Sequence, residues 1–204
     1  MVSKGRPRSF DRQEALEKAM NIFWAKGYEG TTLAELQEAM GGITAPSFYA
    51  AFGSKESLFH EVVSLYSSRD GASVARALEE QPTARAAIET MLYTVVDSIS
   101  RPGCPHGCLL VVSAVNCLQE NQDIQNFLSK IRASNPQIIR QRLQRGIDEG
   151  DLPKKINTLQ IANFVSAVVN GLSLQARDGA SRKALRSSVE CTMAAWDKIV
   201  SEAD

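Results

Sequence analysis

Apolar residues along this chain recur at spacings of three and four, the period of a helix with one buried face, and convincing two-residue alternation is absent. The first such segment runs from Asp11 to Lys26. It opens with D-R-Q-E, in which Asp11 caps the helix start and Glu14 completes a capping box, and it places Leu16, Met20 and Phe23 at i, i+4 and i+7 before Gly27 ends it. The run T-L-A-E opens a second helix with Thr32 as cap, Glu35 three residues on, and Leu33, Leu36 and Met40 on one side; Gly41 and Gly42 stop it. Thr44 caps a short third helix carrying Ala45, Pro46, Ser47, Phe48, Tyr49 and Phe52. Proline is tolerated there because first-turn N–H groups have no partner within the helix. After Gly53, Ser54 caps a longer helix through Leu58, Val62, Leu65 and Tyr66. Further helices are predicted near Thr83 to Ser100, Leu109 to Cys117, Ile124 to Ile147, Thr158 to Ala176 and Lys183 to Val200. The run Leu109-Leu110-Val111-Val112 alone reads equally as a buried strand, but it continues into Ser113-Ala114-Val115 without a turn signal, so a helix is predicted.

At 204 residues the chain has room for one compact body, or for a small module fused to a larger one. Folding can hide about 70% of its extended surface, enough for a core without disulfide staples. A hydrophobic content of 44% with 23% charged residues excludes collagen-like and low-complexity chains and disfavours global disorder. Twenty-three basic residues balance twenty-three acidic ones, so any affinity for a polyanion must come from local segregation. That segregation lies at the start, where Lys4, Arg6, Arg8 and Arg12 face a single acidic residue, Asp11. No apolar run approaches the roughly 20 residues of a membrane span, and MVSKGRPRSF lacks a hydrophobic leader segment; a cytoplasmic protein without membrane contact is expected. The four cysteines, Cys104, Cys108, Cys117 and Cys191, are too few and too unevenly placed for a secreted disulfide framework and are expected reduced.

Two short helices joined across Gly41 and Gly42 and braced by a preceding helix have the form of a helix-turn-helix. Reading base edges requires small or polar residues at the N-terminal end of the second helix and apolar residues facing back. Thr44, Ala45 and Ser47 meet the first condition, Phe48 and Phe52 the second, and Tyr49 lies outside that apolar pair, where its hydroxyl suits a phosphate. Thr32, and Ser54 with Lys55, stand at helix N-termini on either side, and Lys4, Arg6 and Arg8 form an arm suited to phosphate or minor-groove contact.

With these residues in view, G-Y-E-G-T-T-L-A-E-L followed by F-Y-A-A-F-G-S-K-E-S-L-F, after a basic GRPR arm, resembles the TetR/AcrR family of transcriptional regulators over about the first third of the chain. The resemblance implies an all-α homodimer. A three-helix DNA-binding domain with its arm would occupy residues 1–54, and a larger helical effector-binding and dimerisation domain residues 55–204. The last two long helices would pair with their symmetry mates in a four-helix bundle. Position by position, Thr31 and Thr32 open the second helix, Ser47, Phe48 and Tyr49 occupy the recognition-helix end, and Lys55 begins the fourth helix. The stretch G-G-I-T-A-P-S is one residue longer than the commonest family pattern, at the point that sets the register of Thr44 and Ala45.

Two apolar stripes remain. Ile161, Phe164, Val165, Val168 and Leu172 mark one late helix, and Val189, Met193, Trp196 and Val200 the other. Periodicity alone allows internal core; the resemblance assigns Ile161, Val165, Val168, Leu172, Met193 and Trp196 to the dimer interface. Met91, Val95, Cys108, Val112, Phe127 and Phe164 are candidates to line a pocket for a small, largely apolar effector, although they suit a filled core equally. In R-P-G-C-P-H-G-C-L-L, Cys104, His106 and Cys108 fall within five residues, but no fourth ligand accompanies them, so no metal is expected. Nor is a Cys–His nucleophile, since the only histidines are His60 and His106 and no orienting carboxylate is indicated. The expectation is a ligand-responsive repressor, neither an enzyme nor a cofactor protein, that binds double-stranded palindromic operator DNA as a homodimer. The alternatives are a thiol sensor, with the Cys104/Cys108 pair responding to oxidants or electrophiles and the Cys108 thiol acidified by a helix N-terminus, a Cys/His enzyme, and a helical interaction module.

Overall fold

The computed structural model describes residues 11–113 and 118–201, and these form an all-helical structure. Helix α1 (Arg12–Lys26) is capped by Asp11, whose carboxylate accepts from the backbone N–H groups of Gln13 and Glu14. Helix α2 (Leu33–Ala39) carries the complete Thr32–Glu35 capping box, α3 (Ala45–Phe52) begins at Thr44, and α4 (Lys55–Tyr66) begins at Ser54. Each start coincides with the cap expected from sequence, because such caps are contacts within three residues. The α2–α3 turn reverses at Gly41 and Gly42, with φ of 92° and 76°, a conformation open to glycine without steric penalty.

Beyond Tyr66 the chain does not leave the helix. A single π turn over Ser67–Gly71 carries α4 directly into α5 (Ala72–Glu80), in a polar stretch whose apolar periodicity is too weak to predict it. Helix α6 (Ala84–Ile99) follows, then the short α7 (Leu109–Val112), then the long α8 (Gln122–Asp148), which runs through Pro136. Helices α9 (Thr158–Arg177), α10 (Arg182–Ala194) and α11 (Trp196–Ser201) complete the fold; the last predicted helix is thus two, broken at Ala195.

The packing forms two cores. The first gathers Phe23, Trp24, Leu36, Phe48 and Phe52 from α1–α3 and is completed by Leu58, Phe59, Val62 and Val63 of α4. Phe23 and Phe59 meet edge to face at 5.0 Å and Trp24 and Tyr66 at 5.1 Å, pairs each worth about 0.5–1.5 kcal/mol beyond the area they bury. The second core centres on Ile88, Met91, Leu92 and Val96 of α6, surrounded by residues of α5, α8, α9 and α10. Helix α8 belongs to both: Ile124 and Leu128 enter the first core, Ile139 and Leu143 the second.

Candidate nucleic-acid interface and internal cavity

Helix α3 is divided cleanly between two environments. Phe48 and Phe52 are buried in the first core, whereas Thr44, Ala45, Pro46, Ser47 and Ala50 are exposed and Tyr49 is 51% exposed. The Thr44 hydroxyl accepts from the Ser47 amide and lies 3.0 Å from the Ser47 hydroxyl, so two small polar groups stand together at the outward N-terminal end. That is the end from which a recognition helix reaches base edges.

Flanking groups hold this face in place. Arg12 donates two hydrogen bonds to the Glu61 carboxylate at 2.7 and 2.8 Å and one to the Ala51 carbonyl at 3.2 Å, and its guanidinium lies over the Phe52 ring, locking α1 onto α3 and α4. Lys55 lies with its ammonium 4.3 Å from the Tyr28 ring centre, an approach that fixes the side chain at the start of α4. Partial burial pulls its pKa down, and the nearby Glu29 carboxylate offsets part of that effect. Thr32 is exposed at the N-terminus of α2. Thr31 is not available to a ligand: it is 1% exposed, and its hydroxyl donates to the Gly27 carbonyl at 2.7 Å, bracing the α1–α2 turn. The expectation that both threonines face DNA therefore narrows to Thr32, because consecutive residues at a helix start point in different directions. Lys4, Arg6 and Arg8 lie outside the described residues.

Between the two cores lies a cavity of about 180 Å³. Of the predicted lining, Met91, Val95 and Cys108 are on its wall. The other three are elsewhere. Val112 packs against the first core, Phe127 lies against the His60 ring at 4.1 Å, and Phe164 is 42% exposed on the outer side of α9. Periodicity missed the polar wall residues, above all Asp70. The wider π turn brings this carboxylate inward, leaving it 7% exposed, with the Arg101 guanidinium 2.7 Å away.

The Cys108 thiol is not the acidified group that a helix N-terminus suggests. Burial pushes its pKa up, and the Tyr66 hydrogen bond offsets only part of this. Helix α7 has four residues, too short for its dipole to outweigh desolvation. Cys117 lies outside the described residues. Among the described residues, no three of His, Cys, Asp and Glu gather as a metal ion requires, and no helix is long and apolar enough to cross a membrane.

The late apolar stripes face inward. Ile161, Val165 and Leu172 are each 2% exposed, Met193 and Trp196 each 4%, and Val168 is packed against the same core, all within one subunit. These residues fill the second core and do not form an outer surface. The exposed positions of α9 include Phe164, Ala167, Gly171 and Leu174, and those of α10 include Ala184, Ser187, Cys191 and Ala194.

Comparison with known proteins agrees with this geometry. Residues 15–62 match the family model for bacterial regulatory proteins of the tetR family, and residues 84–192 match the tetracyclin repressor-like C-terminal domain. The chain is 33% identical over 199 residues to the HTH-type transcriptional repressor ComR of Escherichia coli (strain K12), covering 97% of this chain and 94% of ComR. It is 29% identical over 180 residues to the repressor BdcR of the same organism, covering 87% and 84%. Among solved structures, a cysteine-substituted form of the TetR family transcriptional regulator CifR, complexed with 26-base-pair double-strand operator DNA, superimposes with a TM-score of 0.90 at 40% identity, over 94% of this chain and all of that one. The chain belongs to the TetR family of DNA-binding bacterial transcriptional regulators.

Proposed function

We propose that this protein is a homodimeric repressor that holds a palindromic operator through α3 and releases it when a small molecule occupies the cavity between the two cores. The observation that carries the reading is the division of α3, with Thr44, Ala45, Ser47 and Tyr49 presented outward on a helix anchored by buried Phe48 and Phe52. In this reading Ser47 and its neighbours face base edges, while Thr32, Tyr49, Lys55 and the arm residues Lys4, Arg6 and Arg8 neutralise or bind phosphates. Residues 1–54 serve DNA recognition, and residues 55–204 serve dimerisation and effector binding. The protein acts in the cytoplasm, where its operator is, and performs no catalysis. CifR's complex with operator DNA supports the DNA assignment, and the names of ComR and BdcR support repression.

In this reading the dimer contact uses the exposed positions of α9 and α10, where Phe164 and Leu174 are accompanied by Ala167, Gly171, Ala184 and Ala194, small enough to let two helices approach closely. Twofold pairing there would set two copies of α3 about one DNA turn apart, roughly 34–36 Å. An effector that favours a different spacing by only about 1.4 kcal/mol lowers operator affinity tenfold. Selection of bound sequences from random duplex DNA, followed by footprinting, tests the reading. Enrichment of an inverted repeat with half-sites one turn apart is expected; enrichment of no sequence, or of a single asymmetric half-site, overturns it.

A further inference from the structure

The cavity wall is mostly apolar, with Val74, Leu78, Met91, Val95, Ile139 and Val169 supplying the hydrocarbon surface. Two of its polar groups have unused hydrogen-bonding capacity. Asp70 receives the Ser98 hydroxyl at 2.5 Å and the Arg101 guanidinium at 2.7 Å, both on Oδ1, and no described residue donates to Oδ2. The Ser166 hydroxyl on α9 is buried and has no hydrogen-bond partner. A buried hydroxyl without a partner is costly in an apolar setting, and Ser166 lines the same cavity as Asp70. The other wall hydroxyls are engaged, Tyr66 with Cys108 and Ser98 with Asp70.

From this arrangement we infer that the effector is a small uncharged alcohol or phenol, with its hydroxyl donating to Asp70 Oδ2, its hydrocarbon body against the α5–α6–α8 wall, and an oxygen in reach of Ser166. The inference rests on the reading of this cavity as the effector site and adds the chemical class. Size agrees: an apolar cavity of about 150 Å³ holds benzene, so about 180 Å³ suits one substituted ring or a short chain. Charge agrees as well. A carboxylate ligand placed against Asp70 Oδ2 would set oxygen against oxygen. An ammonium ligand would meet an Asp70 already neutralised by Arg101, with Arg132 also on the wall. A neutral O–H donor satisfies the open acceptor and brings in no unpaired charge.

Calorimetric titration of the full chain with four probes of matched shape tests the class: para-ethylphenol, its methyl ether, para-ethylbenzoate and para-ethylbenzylammonium. The phenol is expected to bind at least tenfold more tightly than the ether, with both ions weaker still. Ser166→Ala is expected to weaken phenol binding several-fold. Asp70→Asn, which replaces an acceptor oxygen by an amide that also donates, is expected to abolish the preference for phenol over ether. Equal binding of phenol and ether to the wild-type protein overturns the inference, as does tightest binding of an ion or failure of the phenol to bind. If Asp70→Asn does not fold, the four-probe ranking and Ser166→Ala still decide. Operator binding of the ligand-free protein is measured separately: failure there refutes the regulator reading, whereas normal operator binding released only by a charged compound refutes the ligand class alone.

Discussion

The indole N–H of Trp24, near the end of α1, donates to the carbonyl of Gly107 at 2.8 Å in a buried setting, joining the DNA-binding body to the loop that enters α7. The same loop is held from the other side, where the Cys108 amide donates to the Ser173 hydroxyl of α9 at 2.7 Å. Gly107 has φ of 84°, and a Cβ there would stand 2.9 Å from the Ser173 carbonyl oxygen, so this approach admits only glycine. Arg177, one turn further along α9, donates to the carbonyls of Trp24 and Ala25 at the C-terminal end of α1, where a cation complements the helix dipole. Three elements therefore meet at one point: α1, the loop bearing Cys108 of the cavity wall, and α9.

Trp24→Phe keeps much of the ring packing but leaves the Gly107 carbonyl without its donor, at an expected cost of about 1–3 kcal/mol in urea denaturation. Gly107→Ala is expected to be more destabilising than Trp24→Phe, since it adds both a left-handed backbone penalty and the clash with Ser173. Equal urea midpoints for wild type and both variants would show that the junction carries no stability.

Leu172 and Leu174 are two residues apart on α9, yet one is 2% exposed and the other 49%. Leu172→Ala is expected to lose about 2–5 kcal/mol of stability through the cavity it leaves. Leu174→Asp is expected to keep its helical circular dichroism and sediment as a monomer that no longer protects a full palindrome.

Ser47 is exposed at the outward end of α3 and contributes nothing to the core. Ser47→Ala is expected to change the preferred base at one position of each half-site, by up to about 1–3 kcal/mol, while non-specific affinity and its salt dependence stay the same. Competition binding with single-base operator variants at two salt concentrations measures both.

Glu35 has its pKa lowered from 4.5 to about 2 by its hydrogen bond with the Lys26 ammonium, then by the Thr32 backbone and hydroxyl groups. A carboxyl whose pKa falls on folding stabilises the fold fully above its unfolded value and loses that contribution as pH drops toward its folded value. The α1–α2 contact should thus weaken between about pH 4.5 and pH 2, and carboxyl NMR should find the Glu35 midpoint near the lower figure. Lys26→Met is expected to raise that midpoint.

Burial raises the Cys108 thiol, so its thiolate fraction at neutral pH lies below that of an ordinary cysteine. Timed iodoacetamide labelling with mass spectrometry should find Cys108 modified more slowly in the folded protein than in the same chain unfolded in urea. The Cys108 rate should climb only above the ordinary thiol range. Early labelling of Cys108 at neutral pH would revive the thiol-sensor alternative.

The starts of the first helices, and the side of each that is buried, are legible in the local sequence. Asp11, Thr32, Thr44 and Ser54 cap helices as expected because a cap is a bond between a side chain and an amide two or three residues away, complete within the segment that encodes it. The outward face of α3 was legible for the same reason, since Phe48 and Phe52 mark its inner side within one turn. Helix α9 shows where such reasoning stops. Periodicity reads Ile161, Phe164, Val165, Val168 and Leu172 as one stripe, yet Ile161, Val165 and Leu172 are buried while Phe164 is 42% exposed, as is Leu174 at 49%, which periodicity left out. Only the placement of α6, α8 and α10 around it decides which of these residues are core. Asp70 was beyond local reasoning altogether: its inward turn depends on a π turn, and its partner Arg101 lies 31 residues away. Short-range bonds are encoded where they form, whereas the direction a helix face points, and the charge it buries, are set by elements distant in the chain that arrive only when the molecule packs.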